Sequence, residues 1–111
     1  MANKRQSQEA TIANGGTTSA TVIVPQGKTL VAIEIYADWT GTAISFLASY
    51  NSASTPMPIY DDGTLYEVSI PNVAAHIAVD PKLLVGCQNI QVKSNGTEAA
   101  ARTILLIFAE V

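Results

Sequence analysis

The sequence predicts an all-β protein: an antiparallel β-sandwich of jelly-roll or Greek-key type with at most one short helix. Three observations carry that expectation. Val, Ile and Thr fill 31 of 111 positions against 7 for Leu, and branching at Cβ suits a pleated surface better than a helix. Apolar and polar residues alternate with period two in several runs. Turn-forming Gly, Pro, Asn and Asp separate those runs at short intervals.

Taken in order, residues 1–9 are polar and unpatterned and read as a mobile arm ahead of a single domain, 10–111. Strands are expected at 10–14, 20–24, 30–36, 43–50, 57–60, 65–70, 75–79, 88–93 and 102–109. In 30–36, Val31, Ile33 and Ile35 fall on one face and Leu30, Ala32, Glu34 and Tyr36 on the other, so both faces are partly covered. In 88–93, Ile90 and Val92 share a face opposite Asn89, Gln91 and Lys93, the mark of a strand with one wet side. The last run, Thr103 to Ala109, is apolar on both faces, which predicts a central strand or one pressed against another subunit. Asn14-Gly15-Gly16, Pro25-Gln26-Gly27, Asp61-Asp62-Gly63, Pro71-Asn72 and Asn95-Gly96 supply turns. The helical candidate is Asp80-Pro81-Lys82-Leu83-Leu84.

Composition narrows the function classes. Hydrophobic residues at 48% exclude a disordered tail, and charged residues at 14% fall well below the roughly 25% of an ordinary domain. The apolar runs are far shorter than the ~20 residues of a membrane helix. Six Lys and Arg and a net charge of −3 argue against broad nucleic-acid binding, which needs clustered cations. A single cysteine, Cys87, cannot form an intrachain disulfide, so synthesis in a reducing cytosol is expected. The N-terminus is basic and then polar where a signal peptide would turn apolar. Asn95-Gly96-Thr97 matches a glycosylation acceptor but reads here as a hairpin turn.

Nothing in the sequence assembles an active site, and no cofactor is expected. His76 is the one histidine and, with an isolated Cys87, cannot complete a zinc site within the chain. Cys87 reads as a small packed residue, lacking basic neighbours that would lower its pKa. Asp61-Asp62-Gly63 carries oxygen ligands suited to a hard cation, without the further acidic residues a calcium loop repeats; a plain turn explains it as well. No phosphate loop or nucleophile elbow occurs. Trp39, at a strand end, reads either as a sugar platform or as a lid folded over the sandwich. The four tyrosines are candidates for edge caps or subunit contacts.

From Leu30 onward the order of short pieces resembles a group of small proteins encoded near head and virion structural genes in tailed-bacteriophage genomes. The pieces are Trp39-Thr40, Ile44-Ser45-Phe46, Ile59-Tyr60-Asp61-Asp62-Gly63, Ile77-Ala78-Val79-Asp80-Pro81, Leu84-Val85-Gly86, Ile90-Gln91-Val92-Lys93-Ser94 and Ala101-Arg102-Thr103-Ile104-Leu105. The resemblance implies a non-enzymatic protein of the virion surface, made in the host cytoplasm, that decorates or cements the capsid. Its expected partners are the major capsid protein and further copies of itself, with a trimer favoured. On that reading Lys4, Arg5 and Gln6 are candidates for capsid contact, and Leu105, Ile107 and Phe108 for the oligomer interface. Two alternatives stand beside it: a carbohydrate-binding module with Trp39 and Tyr60 as platforms and Asp61 and Asp62 as acceptors, and a tail, baseplate or fibre component.

Overall fold

A computed structural model describes residues 5–51 and 54–110. Among the described residues there are eleven strands: β1 (Gln6–Ile12), β2 (Val22–Ile23), β3 (Thr29–Ile35), β4 (Ala43–Ser49), β5 (Met57–Pro58), β6 (Tyr60–Asp61), β7 (Thr64–Leu65), β8 (Glu67–Ser69), β9 (Ala75–Ala78), β10 (Asn89–Ser94) and β11 (Arg102–Ala109). One sheet has the order β1-β11-β3-β9, and the other β2-β10-β4-β5 with β8 also paired to β4; every pairing is antiparallel. Ile33, Ile104, Leu106 and Phe108 from the first sheet and Ile44, Phe46, Ile90 and Val92 from the second form one core in which all eight are fully buried. This is the expected sandwich. Alternation supplies each sheet with one apolar face, and stacking the two removes both from water. The expected helix is a single 3-10 turn, Pro81–Leu83, capped by the Asp80 side chain, which accepts from the Lys82 N–H at 3.1 Å.

Three expectations change. The expected arm, 1–9, is too long: residues 6–9 belong to β1, whose backbone pairs with β11 from Gln6↔Phe108 to Ile12↔Arg102. An edge strand can be polar on its outer face, so the unpatterned side chains concealed a pairing made by the backbone. In β3 the register slips by one residue opposite Ile107/Phe108, so that Ile107 pairs with Ala32 and Phe108 with Leu30. This bulge breaks the strict alternation: Leu30 and Ile33 are both buried while Val31 and Ala32 between them are half-buried. The N–H of Val79 takes up the Val31 carbonyl at 2.9 Å. Finally, Asn95-Gly96 does not close a hairpin, because β10 and β11 lie in different sheets. The segment crosses between them, and the Asn95 side chain straps it to the start of β4, its Oδ1 accepting from the N–H of Thr42 at 2.8 Å.

The tyrosines mostly serve the fold. The Tyr66 ring stacks on Phe46 with centroids 6.3 Å apart and its hydroxyl accepts from the Asp80 N–H at 2.9 Å, while Tyr50 donates to the Leu83 carbonyl at 2.9 Å. Among the described residues no helix is long and apolar enough to cross a membrane.

Candidate functional site

The outer face of the β1-β11-β3-β9 sheet is the first surface to consider, because the strand singled out for its two apolar faces runs through its middle. Residues paired across antiparallel strands share a face, so the registers define its rows. One row is Ser7, Ile107, Ala32 and Ala78; the next is Glu9, Leu105, Glu34 and His76. Leu105 and Ile107 thus stand half-buried at the centre of a mostly neutral surface. Phe108 does not join them: it is 0% exposed, on the opposite face of β11, and is core. The reading of β11 as a central strand therefore holds, with only its outward residues left for a partner.

In the charged row Glu34 has two polar neighbours. His76 Nδ1 lies 3.5 Å from Glu34 Oε1, and the Tyr36 hydroxyl donates to Glu34 Oε2 at 2.7 Å. That donated bond, followed by slight desolvation and the negative charges of Glu34 and Glu9, holds the Tyr36 phenol above its ordinary range. Glu34 therefore has a partner on each oxygen. Arg5 and Gln6 are exposed at the start of β1, and Lys4 lies outside the described residues.

The alternative platform does not assemble as expected. Trp39 is 6% exposed and belongs to the core, so its ring has no open face for a sugar. Burial of so large an apolar surface outweighs exposure. The turn that turns it inward has Asp38 at φ 75°, with the N–H groups of Asp38 and Trp39 donating to Asn72 Oδ1 at 2.7 and 3.0 Å. Tyr60, in contrast, is 61% exposed on the β6-β7 hairpin. The hairpin pairs Tyr60 with Leu65 and Asp61 with Thr64, leaving a two-residue loop, Asp62 at φ 54° and Gly63 at φ 81°. Positive φ at both positions is the type I′ geometry that favours an Asp-Gly pair, so the acidic run is turn chemistry. Among the described residues no group of three His, Cys, Asp or Glu could hold a metal ion.

The most connected polar group is one that sequence reading passed over. Glu98 is 0% exposed. Its Oε1 accepts from the N–H of Thr40 at 2.9 Å and from Arg102 Nε at 2.9 Å; its Oε2 accepts from the N–H of Gly41 at 2.9 Å and from Ser94 Oγ at 2.6 Å. Its backbone closes the cluster: the Gly15 N–H donates to its carbonyl at 2.8 Å and its own N–H donates to the Gly16 carbonyl at 2.9 Å. Burial alone would push this carboxyl pKa up, but the Ser94 hydroxyl, the Thr40 N–H, Arg102 and the Gly41 N–H outweigh it and hold it at about 2. With four donors in place it is a permanent anion tying three loops together, not an acid or base for catalysis. Cys87 is equally quiet: burial pushes its thiol up, and its Sγ donates to the Asn89 carbonyl at 3.0 Å.

No protein-family model matches the sequence, and no curated protein matches it. Solved structures do resemble it in fold. The crystal structure of the SPBc2 prophage-derived protein YomS superposes with a TM-score of 0.64 at 13% identity, covering 99% of this chain and 96% of that one. A chain of the cyanophage Pam1 capsid asymmetric unit gives 0.47 at 13% identity, covering 99% and 87%, and the Yersinia pseudotuberculosis-derived mitogen 0.37 at 16%, covering 97% and 86%. Of these three, YomS shares the fold over nearly the whole of both chains.

Proposed function

We propose that this chain is a non-enzymatic virion structural protein, a capsid decoration or cement protein that assembles as a small homo-oligomer, a trimer, on the major capsid protein. The observation that carries the reading is the fold it shares, almost end to end, with a prophage-derived protein of similar length. The sequence resemblance to small phage proteins encoded near head genes points the same way. The neutral outer face of the β1-β11-β3-β9 sheet supplies the physical means. Leu105 and Ile107 at its centre form the contact between copies, Ile107 between Ser7 and Ala32, and Leu105 between Glu9 and Glu34. Arg5 and Gln6, exposed at the free edge where β1 starts, make the contact with the capsid. Each contact is modest, and repetition over many sites on a shell converts modest affinity into retention.

The test is to measure the solution mass of the chain and then its co-sedimentation with capsids that lack it. A trimer that sediments with capsids, and less so when residues 1–5 are removed, is the expected result. A monomer that stays in the supernatant overturns the reading; a trimer that binds only purified tails would transfer it to a tail or baseplate role.

A further inference from the structure

The outer face of the second sheet carries a feature with a different chemistry. A groove of about 430 Å³ runs between the β6-β7 hairpin and the segment after β10, a volume within the roughly 300–1,000 Å³ typical of small-molecule sites. Its floor is β4, with Ser45 and Leu47 facing outward. The register places Lys93 of β10 and Glu67 of β8 directly opposite Ser45 on its two sides. The Cα atoms of Lys93 and Glu67 thus lie two strand spacings apart, about 10 Å, with Ser45 between them. Among the described residues Lys93 and Glu67 form no ion pair and no side-chain hydrogen bond, with each other or with any other group. Tyr60, exposed, forms one wall, and Thr97 lines the other side.

From this geometry we infer that the groove is a binding site for a neutral saccharide. The lining selects against the other occupants. A polyanion meets Glu67 and a polycation meets Lys93. A peptide cannot add as a strand, because β4 is already paired with β10 on one side and with β8 and β5 on the other. A sugar ring fits all the parts: its apolar face lies on Tyr60, one hydroxyl donates to the Glu67 carboxylate, and another accepts from Lys93, bonds made stronger by the charge on the protein partner. The site lies on the sheet opposite Leu105 and Ile107, so it remains open when the outer face of the first sheet is covered, and it does not depend on the virion reading.

The experiment is a printed array of neutral and charged oligosaccharides probed with the full chain, followed by titration of the strongest neutral oligosaccharide against 15N-labelled protein. Binding of a neutral oligosaccharide is expected, with amide shifts concentrated at Ser45, Leu47, Glu67, Lys93 and Thr97. Tyr60→Ala and Glu67→Gln should each weaken it about tenfold or more, with an unchanged melting temperature showing that the fold survives. Tyr60→Phe should keep most of the affinity, and Asp62→Asn all of it. An array on which no neutral saccharide binds, binding confined to charged glycans, amide shifts elsewhere, or undiminished affinity in Tyr60→Ala would each overturn the assignment.

Discussion

Replacing Glu98 with Gln removes one charge and barely changes shape, yet the geometry predicts a large loss of stability. The carboxylate accepts four bonds, two on each oxygen. An amide keeps one acceptor oxygen and turns its NH2 toward two donors, either Thr40 and Arg102 or Gly41 and Ser94. At least one bond is lost, since the Ser94 hydroxyl can turn to accept from the NH2, and the Arg102 guanidinium loses its counter-charge. The depression of the carboxyl from its ordinary 4.5 to about 2 corresponds to at most roughly 3 kcal/mol. Breaking a buried ion pair by removing one partner costs about 3–5 kcal/mol, so the two routes agree on about 3. For a domain of this size that lowers the melting temperature by roughly 10–15 °C. The pH dependence has a definite sign. Because the folded pKa is the lower one, the carboxylate's contribution is complete above the unfolded value of 4.5, declines as the pH falls and is lost below about 2. Urea denaturation of both proteins from pH 7 to pH 2.5 measures this. The gap should be constant above about pH 5.5 and narrow steadily below pH 4.5. A gap under about 1 kcal/mol at pH 7, or one that does not change with pH, would show that the Glu98 carboxylate does not anchor these loops.

Three further outcomes follow from the packing. A Cβ on Gly41 would collide with Ser94 Oγ and lie 2.8 Å from Asn95 Oδ1, so Gly41→Ala should destabilise by about 2–4 kcal/mol and the loss should overlap with that of Glu98→Gln in the double variant. Buried Trp39 should fluoresce with a blue-shifted maximum and resist iodide quenching until the protein unfolds; a red-shifted, freely quenched spectrum contradicts its place in the core. Phe108→Ala should cost about 3–5 kcal/mol in denaturation, whereas Ile107→Ser should leave the fold intact and lower the solution mass; a stability loss at Ile107 equal to that at Phe108 would show that both belong to the core.

The strands were largely legible because a half-buried strand writes its burial into period-two alternation. The run 102–109 matches β11 (Arg102–Ala109) end to end, and 43–50 exceeds β4 by a single residue. Where burial is not periodic the signal fails. The bulge in β3 puts Leu30 inside in spite of its parity, and nothing local in Leu30-Val31-Ala32-Ile33 announces it, since the slip is set by the partner strand. The start of β1 was missed for the same reason: Gln6-Ser7-Gln8-Glu9 is held by backbone bonds to β11, a partner at the far end of the chain. Of the site residues, Asp61-Asp62-Gly63 was readable as a turn because its φ requirements are local. Glu98 was not: apart from Ser94 and Arg102, its donors lie 57 and 58 residues away. The groove combines Tyr60, Glu67 and Lys93 through strand order, which no single run of residues encodes.

Reinforcement of a capsid by copies that assemble through the outer face of the β1-β11-β3-β9 sheet is what the proposed function asserts. It is tested most directly by calorimetry of capsids lacking the protein, with the chain added back in excess. The capsid transition should move to higher temperature with the native chain and stay in place with a Leu105→Glu, Ile107→Glu variant that is itself folded. An identical capsid transition with and without the native chain would contradict it.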